Sequence, residues 1–141
     1  MTKREINAQE LLDNINFKED KDDDEIATIH GLLLIVLLDM AYWHHDRNYE
    51  MTITDLVSTL EEDIELGRES DSHRTKRAAD LRCKHLSDLD RRQFIHHFNT
   101  KYADIASVSR SDLVPRIVVE HGEGENRHFH VALNFKYRIT E

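Results

Sequence analysis

Between Glu25 and Trp43 the chain leaves a helix almost no polar side. Ile26, Ile29, the run Leu32–Leu38, Met40, Ala41, Tyr42 and Trp43 point in nearly every direction around its axis. A helix that is apolar all round must be buried all round. The fold therefore has to wrap other elements around one central helix, or share that helix with a second copy. In the second arrangement Leu33, Val36, Leu37, Met40 and Trp43 form a homodimer seam. The unbroken apolar run is far shorter than the roughly 20 residues that span a bilayer, so no membrane partner is expected.

At 141 residues, with one Pro, four Gly and a single Cys, the chain has the size and composition of one ordinary domain without a disulfide framework. Met1–Asn16 is polar and lacks the apolar core of a secretory leader, which fits a cytoplasmic protein. Residues 1–24 divide into an amphipathic helix over 4–16 (Ala8, Leu11, Leu12 and Ile15 on one stripe) and an acidic linker, Lys18–Glu25. Residues 25–141 form the domain proper.

After the central helix, Tyr49–Ile53 has strand character. Thr54 is placed to cap a helix from Asp55 to about Leu66, which Gly67 closes. A further helix is expected from about His73 to Leu86, with Ala78, Ala79, Leu81, Leu86 and Leu89 on its apolar side. Ser87-Asp88-Leu89-Asp90 resembles a cap, and Phe94, Phe98 and Tyr102 carry the next helix to about Ala106. The period then changes. Phe129, Val131, Leu133, Phe135, Tyr137 and Ile139 alternate with polar residues, and Arg116–His121 precedes them across the turn Gly122–Asn126. Pairing His121 with Arg127 sets Val119 against Phe129 and Ile117 against Val131, matching apolar with apolar. The fold class is α+β, mainly α, with a C-terminal antiparallel hairpin.

His73–Arg92 is the one basic block of a chain whose net charge is −9. Arg74, Lys76, Arg77, Arg82, Lys84, Arg91 and Arg92 stand there against Asp80, Asp88 and Asp90. On a continuous helix Arg77, Lys84 and Arg91 fall on one stripe. A short strand, two capped helices with the second one basic, and a closing hairpin together resemble a winged-helix domain, over about residues 26–139. Ser72-His73-Arg74-Thr75-Lys76-Arg77 resembles the start of a recognition helix. The resemblance implies that Arg74, Thr75, Lys76 and Arg77 face base edges in double-stranded DNA, while Lys84 and Arg91 face phosphates. Arg127, Lys136 and Arg138 of the hairpin then touch the neighbouring backbone. The function implied is that of a dimeric, sequence-specific DNA-binding protein, a transcriptional regulator. The alternative is a protein–protein interaction module of similar fold that uses the basic strip on an acidic partner.

Ten histidines are present. In the register above, Glu120 shares a face with His128 and His130 and could complete a metal-binding set, while His121 falls on the other face. Closed zinc sites have four ligands and no fourth is evident, so solvent-facing histidines are expected, with no metal and no cofactor. His44-His45 suit a helix C-terminus as imidazolium. Cys83 reads as a packing residue. No nucleophile elbow, phosphate loop or Cys–His pattern appears, so an enzyme is not expected.

Overall fold

The computed structural model describes residues 6–140. Helix α1 (Ala8–Asp13) leads to the two-residue strand β1 (Asn16–Phe17), then α2 (Asp20–Glu25) and α3 (Gly31–Asp46). Next come β2 (Thr52–Asp55), α4 (Leu60–Glu65), β3 (Ala78–Arg82) and α5 (Asp88–Lys101). The chain finishes with β4 (Ser107–Val108), β5 (Pro115–Arg116), β6 (Val118–His121) and β7 (His128–Ala132). Five strands form one sheet in the order β1-β2-β3-β7-β6, with β1 parallel to β2 and all other neighbours antiparallel. Strands β4 and β5 pair separately. The architecture is α+β. No helix among the described residues is long and apolar enough to cross a membrane.

Helix α3 is the buried hub. Leu33, Val36, Leu37 and Met40 have no exposed surface and Trp43 keeps 5%. These five residues are interior, so they cannot form the homodimer seam expected of them. The rest of the domain covers this side of the helix, while Ile35 and Tyr42 on the other stay exposed. Trp43 meets Phe94 of α5 edge-on at 5.0 Å, and Phe94 stacks on Phe129 of β7 at 4.6 Å. Ala79, Leu81, Phe129, Val131 and Val118 give the sheet's side of this core. Leu11 and Ile15 join it too, and Asn16–Phe17 extends the sheet at β2, so residues 6–24 are part of the domain. Residues 4 and 5 of the helix expected over 4–16 lie outside the described residues.

The basic helix expected from His73 to Leu86 is not formed. Residues 72–76 make a turn and Ala78–Arg82 is a strand at the centre of the sheet, between β2 and β7. Its first four residues are buried. Burial on both faces outweighs the helical preference of Ala and Leu, which is worth only tenths of a kcal/mol per residue. Lys76 closes the turn at φ 60 and fixes it by two backbone bonds: its N–H donates to His73 O (3.1 Å), and its carbonyl accepts from His30 N–H (3.0 Å). Thr54 lies in β2, and the following helix is shorter than expected, starting at Leu60 under a Thr59–Glu62 capping box. Ser87 does cap α5.

The C-terminal hairpin is slipped by one residue from the expected register. Val118 lies opposite Val131, Val119 opposite His130, Glu120 opposite Phe129 and His121 opposite His128. Strand β7 ends at Ala132, and a single 3-10 turn, Phe135–Tyr137, replaces its expected continuation. The slip places Glu120 on the core side, where Arg91 Nε of α5 meets its Oε1 at 2.8 Å. At the outer edge of β6, Asn99 of α5 substitutes for a strand. Its side-chain amide donates to Val118 O (3.0 Å) and its Oδ1 accepts from Val118 N–H (2.9 Å).

Candidate metal centre

Side chains alternate across a strand, so β3 turns Asp80 and Arg82 to the face opposite its buried Ala79 and Leu81. Asp80 lies directly opposite His130 of β7, and Arg82 opposite His128. The turn closed by Lys76 returns His73, seven residues upstream, onto this same spot. His130 Nδ1 sits 2.9 Å from Asp80 Oδ1 and His73 Nε2 sits 3.3 Å from it. One ligand atom from each of His73, Asp80 and His130 lies within 4.8 Å of the others, the only such group among the described residues. Nitrogen and oxygen atoms this close fit around one ion with bonds near 2.0–2.2 Å.

The surroundings hold these groups in place. His73 is buried, and its Nδ1–H donates to Leu56 O at 2.8 Å, which turns Nε2 toward Asp80. Burial alone would raise the Asp80 carboxyl. Hydrogen bonds from His130 and His73, and their charges, instead hold it far below the usual carboxylate range. The same pairing lifts His73 above an ordinary imidazole, although burial opposes it. Behind Asp80 stands Arg68, with Nη2 3.6 Å from Oδ2. Arg68 also pairs with Asp55 and, at 3.4 Å, with Asp63. A bulge between Ile53 and Asp55 brings Asp55 opposite Asp80, so that Asp55 faces this network.

Two more imidazoles flank the cluster. His121 lies 5.8 Å from His130 and 5.8 Å from His128, ring centre to ring centre. Burial, then the neighbouring His130 and His128, keep His121 below the ordinary imidazole value and hence neutral at pH 7. His128 Nδ1–H donates to Asn126 O at 3.0 Å, leaving Nε2 without a hydrogen-bond partner among the described residues. A cleft of about 260 Å³ opens here, lined by Asp80, Arg82, His128, Arg127, Lys18 and Lys84 among others.

The sequence offered Glu120, His128 and His130 as a set that could hold a metal, with His121 on the other face, although no metal was expected. The one-residue slip reverses this: Glu120 turns to the core and His121 joins the histidine face. His130 stays, and His73 and Asp80 complete the group. The sequence did carry a signal for them: Ala79, Leu81 and Cys83 alternate with Asp80, Arg82 and Lys84, which is strand periodicity inside the supposed helix.

Most of the residues assigned to DNA contacts are engaged within the chain. Arg74 Nη1 pairs with Asp63 (3.1 Å), and Thr75 Oγ1–H donates to Asp71 O (2.9 Å). Lys76 belongs to the turn. Arg77 is buried and donates to Leu133 O (2.9 Å) and Asp71 (3.0 Å). Lys84 pairs with Glu125 at 2.6 Å, while Arg91 is held by Asp88 and Glu120. Arg127 points toward Glu120 (3.9 Å), Lys136 lies 5.2 Å over the Tyr137 ring and Arg138 3.6 Å over Phe135. With no helix over His73–Leu86, there is no basic rod to enter a groove.

Elsewhere, His44 is buried and its Nδ1–H donates to Met40 O (2.8 Å). Burial pushes its pKa down to about 4, so it is neutral rather than the imidazolium expected at a helix end. Cys83 is buried, and burial followed by Glu120 pushes its thiol up to about 12, which leaves it unreactive.

Compared with protein-family models, curated proteins and solved structures, the chain matches none.

Proposed function

We propose that this protein is a metal-dependent hydrolase whose ion, best suited to zinc, is held by His73, Asp80 and His130. The observation that carries the reading is the convergence of these three side chains on one spot, with Asp80 also lining the adjoining cleft. Two imidazoles and one carboxylate are a zinc donor set, and three protein ligands leave a coordination position for water, as catalytic rather than structural sites do. A zinc ion bound there supplies a water acidic enough to yield hydroxide near neutral pH. The chain's own groups do the rest. His73 is oriented by the Leu56 carbonyl, and Arg68 neutralises the outer oxygen of Asp80. His128, beside the cleft and with no partner for Nε2 among the described residues, carries a proton between the attacking water and the leaving group, and His121 stands next to it.

The reading as a winged-helix DNA-binding regulator, or as a docking module of that kind, has less support. The antiparallel pair β6–β7 favours it, but four of the cations it relied on, Arg74, Arg77, Lys84 and Arg91, are bound by this chain's own carboxylates.

The test is metal content. Protein dialysed against chelator and reloaded should retain one zinc per chain and hydrolyse p-nitrophenyl acetate only when loaded. Zinc at 100 times its dissociation constant should add about 2.7 kcal/mol to stability, seen as a rise in Tm. His73→Ala, His130→Ala and Asp80→Asn should each lose zinc and activity together. His128→Gln should keep the zinc and lose activity. Retention of zinc by all three ligand variants would sink the proposal.

A further inference from the structure

The cleft beside the metal centre carries a second feature that hydrolysis itself does not require. Arg82 lies two residues beyond Asp80 on the same face of β3, directly opposite His128, and lines the cleft. Same-face neighbours along a strand stand ~7 Å apart. No carboxylate lies within ion-pair distance of Arg82 among the described residues, whereas Arg68, Arg74, Arg77 and Arg91 all have one. Lys18 and Arg127 also border the cleft. Of its acids, Asp80 belongs to the metal set and Glu125 is bound by Lys84 at 2.6 Å. In a chain of net charge −9, an unpaired guanidinium among further cations, one rung from the reacting position, marks a place for a negative group.

We infer that the substrate carries an anionic group, a carboxylate or a phosphate, ~7 Å from the bond that is cut, and that Arg82 receives it. The inference rests on the reading of His73, Asp80 and His130 as a metal centre. The planar guanidinium fork matches either anion with two parallel hydrogen bonds, which makes Arg82 a specificity residue rather than a ligand or a proton carrier. Lys18 and Arg127 add attraction from the rim, which is screened by salt.

Hydroxamates separate the two claims, because the hydroxamate group chelates zinc whatever else the molecule carries. Acetohydroxamate, succinate monohydroxamate and phosphonoacetohydroxamate are titrated into the zinc-loaded protein and its variants by calorimetry. At least one of the two anionic probes should bind ~10-fold or more tighter than acetohydroxamate, and the stronger one identifies the anion preferred. That advantage should shrink between 50 and 500 mM salt and vanish in Arg82→Met. Arg82→Lys, which keeps the charge and loses the fork, should retain part of it. Both variants should hold zinc and acetohydroxamate as the parent does. Equal affinity of the parent for all three probes, or an advantage that survives Arg82→Met, overturns the inference while the metal centre stands. Absence of both zinc and acetohydroxamate binding in the parent overturns the centre and the inference with it.

Discussion

Asp22 has no exposed surface, and neither of its carboxylate oxygens has a hydrogen-bond partner among the described residues. Burial, then the nearby charge of Asp55, pushes its pKa up to about 6 from an ordinary 3.8. Between those values the folded chain holds a proton that the unfolded chain has released, so this residue adds stability as the pH falls through about 6 and costs stability above it. His44 acts in the opposite sense. Its folded value of about 4 lies below the ordinary 6.5, so its contribution is whole above 6.5 and fades as the pH falls toward 4. The two slopes oppose each other in the parent, and a variant is needed to separate them. Asp22→Asn should gain roughly 1–3 kcal/mol relative to the parent on going from pH 5 to pH 8, measured by urea unfolding at both. Taking the difference between two pH values cancels any fixed cost of burying the amide. A gain that does not depend on pH would contradict the assignment.

At the level of elements, the turn before β3 decides whether the centre exists. Lys76 adopts a left-handed conformation at φ 60, which costs a residue with a side chain about 1 kcal/mol and costs glycine almost nothing. Lys76→Gly should raise stability by about 0.5–1 kcal/mol in thermal melts with zinc affinity unchanged. A lower Tm would show that the lysine side chain holds the turn in some other way. Local signals were enough for the elements whose packing agrees with their own pattern. The apolar wrap of α3, the Ser87 cap and Phe94–Phe98 stripe of α5, and the existence of a closing hairpin were all readable from the residues. Strand β3 was not, because Ala and Leu favour a helix locally and only its central place in the sheet makes it extended. The hairpin register failed for a related reason. Matching apolar residues across the turn assumed that no acid faces the core, yet Arg91 from α5 makes room there for Glu120. The candidate centre depends on both elements, so of its three residues only His130 was visible as a possible ligand. His73 and Asp80 were hidden in a helix that does not form.

For the molecule as a whole, much of the basic block is internal fastening, Arg82 excepted. Arg77 ties the turn to the chain beyond β7 through Leu133, and Arg74 and Arg68 close on the acids around α4. An acidic protein with most of that block's cations spent in this way should show little affinity for duplex DNA at physiological salt, which a mobility-shift titration checks. The sheet also has to stop somewhere. On one side it ends in the two residues of β1, and on the other in a single amide, Asn99, bound to Val118. Replacing Asn99 with Leu leaves that pair of backbone groups without its cover. Light scattering on the concentrated variant should then reveal chain-to-chain stacking, copies adding strand to strand, while the parent stays dispersed. One side chain on α5 thus stands between a discrete particle and an open-ended polymer.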